Sequence, residues 1–517
     1  MSSRTPVVVV LALLAALVGG VLALDQLVPP VDPGADEAAD VEELATGGAW
    51  VCPVGDTREN TSLAVSAMRP GETGDTPGEV ELGIVEDGEQ ELDEATQVFP
   101  FSAVRLGLEG DEAAVTARWF DGPVGLHRTW RLRGGDDDLP PGTVAGPCVA
   151  EVSDRWLVPG MTTSGGNEAR LRLANPHRSD ATVQISFATP EGVESPTVLQ
   201  NITVQARDTT EIEVNEHLPE RDDVAAEVRV VSGRVAAEGY QLARQAIGDV
   251  DGASLLASTT TPSTVWTVPW VADGDGRQSW LWLLNPGQRP APVELTLHTS
   301  DGGVVPDGLA EVTVAPGQLR RIDLRGTFPE DVASGAVTVR SDGEPVVASG
   351  AVRQEADDAE DTGIAVQLGA IGDTRWLFAG GGTAGRNEQL RLVNPEGTPA
   401  VVDVVLFDGS QTLRSEELTD VEVPPGALVA LDLTAELGEV ESWAAFVEAS
   451  EGQVVAGNVG RGGAAELHLV AGPGLSGASL DGARIALPSR REPGVSLRVG
   501  TDLGIRTADE DEAAPAD

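Results

Sequence analysis

Lysine is absent from this 517-residue chain, so all 34 of its basic residues are arginine. They are outnumbered by 83 acidic residues, giving a formal net charge of −49. Such a field repels nucleic acid and anionic lipid headgroups, and neither is expected as a partner. It keeps the chain solvated and suits a cation-rich exterior. Aromatic residues are scarce, at 4% with a single tyrosine. Cores must therefore be built from Val, Leu, Ala and Ile, which the 41% hydrophobic content allows. With 61 Gly and 34 Pro, that mix suits short strands punctuated by turns.

Sites of known chemistry are also missing. The five histidines, His127, His177, His217, His298 and His468, are scattered without a zinc-ligand spacing. There is no Gly-x-Ser-x-Gly elbow and no P-loop. Acidic pairs are so common that no glycosidase pair stands out. Asp273-Gly274-Asp275-Gly276 and Asp136-Asp137-Asp138 have the oxygen ligands calcium favours, but neither completes an EF-hand loop. The first is read as a turn. No catalytic residue, metal or cofactor is expected.

Only one long apolar run occurs, the 18 residues Val7 to Leu24, with Arg4 before it and Asp25 after it. It is long enough to span a bilayer with the N-terminus inside. A cleaved signal peptide is the alternative. Either way, export of residues 25–517 is expected, to a cell-membrane location or a secreted one. In an exported protein the cysteine pair, Cys52 and Cys148, reads first as a disulfide and second as two buried thiols.

The strongest signal is internal similarity. Arg155-Trp156-Leu157-Val158-Pro159 leads to Leu171-Arg172-Leu173-Ala174-Asn175-Pro176. Val265-Trp266-Thr267-Val268-Pro269 leads to Leu281-Trp282-Leu283-Leu284-Asn285-Pro286, and Arg375-Trp376-Leu377-Phe378 to Leu390-Arg391-Leu392-Val393-Asn394-Pro395. The Trp residues are 110 apart, twice, and each Trp-to-Asn interval is 18 or 19. A diverged first copy starts at Trp50 and carries Ala64-Val65-Ser66-Ala67-Met68-Arg69-Pro70 in place of the Asn-Pro strand. Each copy continues with further strands of period-two alternation, a Pro-Gly bend or its equivalent, and a Gly-centred hairpin. No amphipathic helix of three or more turns is expected.

This pattern predicts an all-β chain of four tandem Ig-like β-sandwich repeats, each of about 110 residues, after one N-terminal transmembrane helix. The boundaries are 1–24 for the anchor or signal, 25–48 for an acidic stalk, and 49–150, 151–262, 263–372 and 373–482 for the repeats. Residues 483–506 resemble the start of another copy, and 507–517 form a disordered acidic tail. A linear array is the first reading. A closed ring such as a β-propeller is the second, with Arg484-Ile485-Ala486-Leu487-Pro488 as its closing strand. The connector Ser258 to Thr264 is read as an extended linker.

The Trp-x-x-Pro openings, Leu-x-Leu-x-Asn-Pro strands, Pro-Gly bends and Val-rich hairpins resemble bacterial extracellular Ig-like modules. Over about residues 1–470 the arrangement is similar to an actinobacterial family of membrane-anchored or secreted proteins with a domain of unknown function. That resemblance implies an envelope location and a link to cell-wall glycan biogenesis, and supplies no active residues.

Trp50, Trp156, Trp266 and Trp376 recur at one position and are expected to pack in cores or between repeats. Asn175, Asn285 and Asn394 are read as turn residues. Trp280 and Trp282 differ: they alternate with inward Leu281 and Leu283, where other copies carry Arg170 and Arg172, Gln389 and Arg391, or Ala64 and Ser66. With Trp270 they form either an exposed surface suited to stacking on sugars or a buried interface. The function expected is a non-enzymatic envelope scaffold or adhesion-type protein, with cell-wall glycan or an envelope protein as partner. The alternatives are an accessory protein-interaction factor for envelope glycan biogenesis and, further off, a cryptic glycan hydrolase.

Overall fold

The computed structural model describes residues 46–486, except 54–60, 72–76, 87, 93–94, 109–113, 121–122, 134–138, 151, 247–249, 275, 307, 330–331, 356–361, 463–468 and 483. The apolar run Val7–Leu24, the stalk up to residue 45, Asp136–Asp138, Asp275, His468 and the acidic tail lie outside the described residues. No described helix is long and apolar enough to cross a membrane.

The described chain is all-β, and its strands form eight antiparallel sheets. The second stretch shows the pattern. One sheet holds Arg155–Met161, Val224–Ser232, Ala181–Thr189 and Gly192–Glu194 in that spatial order, with Ile202–Val204 also paired to Ala181–Thr189. The other holds Asp208–Glu213, Asn167–Asn175, Ala236–Ala246 and Val250–Leu256. Alternation explains the pairing. Along Ala181–Thr189, buried Ala181, Val183, Ile185 and Phe187 face inward while Gln184 is exposed. In the fourth stretch, Trp376, Val404 and Val447 from one sheet share a core with Leu390, Leu392 and Val455 from the other.

The recurrent residues have local reasons to recur. Each opening-strand tryptophan donates its indole N–H to a carbonyl in or beside the closing hairpin. Trp50 reaches Val124 at 2.6 Å, Trp156 reaches Val235 at 2.8 Å, Trp266 reaches Val346 at 2.7 Å and Trp376 reaches Val454 at 2.9 Å. The large ring fills the core and its one polar atom is satisfied. Each asparagine before proline is fully buried and triply bonded. Asn285 Nδ2 donates to Arg289 O at 2.7 Å and Val314 O at 2.9 Å, and its Oδ1 accepts from Gly287 N at 2.9 Å. Asn175 and Asn394 make the same three contacts. Asn285→Ala would leave three backbone groups short of a partner. A loss of about 2–3 kcal/mol is expected, read as a lower urea midpoint at unchanged slope. A loss under half a kcal/mol, typical of exposed turns, would count against this role.

The bend residue takes a left-handed backbone in all four copies: Phe101 at φ 54, Arg207 at φ 53, Gly317 at φ 67 and Gly426 at φ 70. Glycine removes the Cβ penalty of that conformation in the last two copies.

A linear array is not what the structure shows: the four sheet pairs close into a ring. The last strands of the stretches, Gly142–Pro147, Val250–Leu256, Gly363–Leu368 and Leu469–Pro473, lie next to one another around a common axis, the fourth returning to the first. Opening strands also pack on the following copy. Arg155–Met161 sits on the second sheet of the third stretch, and Arg375–Gly381 sits on Thr61–Arg69 and Gly125–Leu132 of the first. Close approach demands small residues here. A Cβ on Gly142 would lie 2.5 Å from Ala253 N, and one on Gly363 would lie 2.8 Å from Leu469 Cβ.

Closure between the fourth and first stretches is both polar and apolar. Thr129 Oγ1 donates to Gly380 O at 3.1 Å. Phe101 meets Phe446 edge-on at 5.6 Å, with the Arg414 guanidinium 5.1 Å from the Phe101 ring. Beyond the short helix Gly477–Gly482, strand Arg484–Ala486 pairs antiparallel with Thr46–Gly48 of the opening strand. The segment that resembled a fifth copy therefore completes a sheet of the first.

Candidate functional site

Trp280 and Trp282 are not a surface. They are 7% and 0% exposed, and Trp270 is 2% exposed. The physical reason is ring packing: the outward face of each second sheet is covered by the preceding stretch. A Cβ on Gly160 of the second stretch would lie 3.2 Å from Trp282 Cε3. Trp282 Nε1 donates to Asp223 Oδ1 at 2.6 Å, also from the second stretch. Trp280 meets Trp282 edge-on at 5.5 Å, with Arg321 stacked 4.5 Å over its ring. Trp270 packs with Ala272, Val352, Val459 and Leu469 where the third and fourth stretches meet. Trp280 and Trp282 thus lie at the second-to-third joint and Trp270 at the third-to-fourth, so of the two readings the buried interface holds and the exposed sugar-stacking face does not.

Cys52 and Cys148 form a disulfide spanning 96 positions. It lies beside the backbone bridge between Val51 and Val149, whose two N–H···O bonds are 2.9 and 3.0 Å. Asp273 behaves as a turn residue, accepting from Gly274 N and Gly326 N. Among the described residues no cluster of three or more His, Cys, Asp or Glu could hold a metal.

What ring closure creates is a cavity of about 700 Å³ where the last strands run into their connectors. Its wall includes all four recurrent tryptophans, Trp50, Trp156, Trp266 and Trp376. Small residues such as Gly146, Ala257, Gly369 and Gly472 leave the space. The volume is that of a small-ligand pocket. Sequence reasoning missed it because the lining comes from segments read as linkers, Ser258 to Ser263 above all. The available signal was that each copy has small residues just after its last strand.

Charge in the wall is acidic. Among the described residues, Glu238, Asp373 and Glu388 line it and no arginine does. Two of these carboxylates have assigned tasks. Glu238 is 3% exposed and ion-paired with Arg128 of the first stretch, itself 2% exposed. Burial pushes the Glu238 carboxyl up and the Arg128 guanidinium opposes that. Asp373 accepts from Thr374 N at 2.6 Å, Arg375 N at 3.2 Å and Ala478 N at 2.8 Å.

His127 also lines the cavity, and burial, with Arg128 beside it, lowers its pKa to about 3. The folded protein therefore holds a neutral imidazole. Above its ordinary 6.5 both states are neutral and stability is full. As pH falls below that value, the unfolded chain binds a proton that the folded one refuses, and stability drops until about pH 3. Lowering pH from about 7.5 to about 5 should cost about 2 kcal/mol through this group. His298, lowered mainly by burial, adds to the same slope. Melting curves of His127→Asn should show a shallower pH dependence than the parent; an unchanged slope would rule the assignment out.

Fold and cavity together define a class: a closed ring of four repeated antiparallel sheet pairs around one axial cavity. The chain belongs to a protein family described as "Family of unknown function (DUF5719)", which matches residues 121–375 and 370–459. No curated protein matches the chain. A solved structure titled "Crystal Structure of Thermotoga maritima 1070" is similar over 21% of this chain and 95% of that chain, at 18% identity and a TM-score of 0.19.

Proposed function

We propose that this chain is a non-enzymatic extracytoplasmic scaffold of the cell envelope that binds wall glycan. In this reading each sheet pair is an Ig-like β-sandwich, residues 7–24 hold or deliver the chain at the membrane, and the acidic surface keeps the ring solvated. The observation that carries the binding role is the axial cavity of about 700 Å³, walled by the four recurrent tryptophans. Its apolar rings and small polar groups suit a saccharide, which presents both C–H faces and hydroxyls. The Cys52–Cys148 disulfide supports an oxidising compartment.

The test is co-sedimentation of the full chain with isolated cell-wall polysaccharide. Saturable retention, competed by soluble polysaccharide of the same kind, is expected. Recovery of the protein only in the supernatant across a range of salt concentrations would discard the glycan reading.

A further inference from the structure

Four cavity-lining residues carry a buried polar atom with no partner among the described residues: His127 Nδ1, Ser258 Oγ, Gln367 Oε1 and Trp443 Nε1. They come one from each of the four stretches, so only the closed ring brings them to one cavity. Three of the residues are almost fully buried, at 5% exposure for His127 and 2% each for Gln367 and Trp443. Buried polar groups are normally bonded, and an unbonded one costs about 1–3 kcal/mol. Four around one cavity mark a place where a ligand completes the bonding.

Their chemistry specifies that ligand. Gln367 already donates its Nε2 to Trp270 O at 2.6 Å, so its free Oε1 accepts. Trp443 Nε1 only donates, and Ser258 Oγ does both. Neutral His127 offers one further donor or acceptor. The mixture matches hydroxyl groups, each of which donates and accepts. An anion is disfavoured, because the described wall holds Glu238, Asp373 and Glu388 and no arginine. Two of the wall's carboxylates are already engaged, Glu238 by Arg128 and Asp373 by three backbone N–H groups, so neither is free to take a cation.

We infer that the axial cavity binds a neutral, hydroxyl-rich ligand, a short uncharged oligosaccharide, through Ser258, Gln367, Trp443 and His127. This deepens the glycan-binding reading and rests on it.

The experiment is calorimetric titration of the full chain with maltotriose, mannotriose and galactotriose, beside trigalacturonate as the charged counterpart. Binding of at least one neutral trisaccharide is expected, with trigalacturonate at least tenfold weaker. Ser258→Ala deletes one polar atom and keeps the packing; Trp443→Phe deletes the indole N–H together with part of a buried ring. Each should weaken the neutral ligand several-fold, Ser258→Ala at an unchanged melting temperature and Trp443→Phe with the fold retained by circular dichroism. Ser258→Phe, which fills the cavity, should abolish binding. Should that variant misfold, the two conservative ones decide alone. The inference falls if no neutral sugar binds, if trigalacturonate binds as well, or if Ser258→Ala and Trp443→Phe bind like the parent. Retention of both conservative variants on wall polysaccharide with undiminished affinity would leave the scaffold reading standing and remove the cavity from it.

Discussion

Glu238→Ala is expected to destabilise the ring by about 3–5 kcal/mol, the range for removing one partner of a buried ion pair. Arg128 is 2% exposed, and besides Glu238 its Nη1 has only the Pro53 carbonyl at 3.4 Å. A guanidinium cannot shed its proton to escape burial, so the truncation strands a full charge between the first and second stretches. The attraction itself is a weaker asset than it looks, because desolvating both groups costs as much as their pairing returns. Arg128→Met combined with Glu238→Leu should therefore melt within a few degrees of the parent or above it. Thermal melts of the single and double variants check this. A single variant as stable as the double one would show that the charge finds water, and that this joint is looser than drawn.

Loss of the disulfide is expected to cost a similar amount. In the chain-entropy view, a cross-link over 96 positions removes enough unfolded-state freedom to stabilise by about 4–5 kcal/mol. Cys52 and Cys148 are 0% and 4% exposed, so reductant meets them only after local opening. Cys52→Ser/Cys148→Ser should lower the unfolding midpoint sharply while leaving the other three stretches β-structured by circular dichroism. Reduction of the native protein should be slow without denaturant. A melting temperature unmoved by the double substitution would mean that the strand pairing of Val51 with Val149 and the ring contacts already hold that edge.

The repeat was legible in the sequence because its cues are local. Alternating Leu171 and Leu173, the Trp at each opening and the Asn before each Pro answer to strand pleat, core filling and turn bonding within one copy. Ring closure was legible only as the second reading, because period-two alternation separates two faces without saying what covers the second. Trp280 and Trp282 were placed correctly on the face opposite Leu281 and Leu283. What hides them is Gly160 and Asp223, more than fifty positions upstream. The same blindness hid the cavity, since Ser258 and Gln367 meet only after four copies have turned through the circle. The Cys pair could be read directly, as an even count in a chain expected to be exported points to a bond. The Arg484 segment was half-read: its likeness to an opening strand was real, and its pairing with Thr46–Gly48 puts it alongside one.

A circle has no end at which a copy can be added or trimmed, and here the four joints have ceased to be alike. The first-to-second joint holds the Arg128–Glu238 pair, and the second-to-third holds Trp282 on Asp223. The third-to-fourth holds His298 Nδ1 at 2.8 Å from Gly426 O, and the fourth-to-first holds Thr129 on Gly380 O. Exchanging any two copies would set a lone guanidinium or an indole against a partner never shaped for it. The copies share an ancestry of pattern but are no longer spare parts for one another.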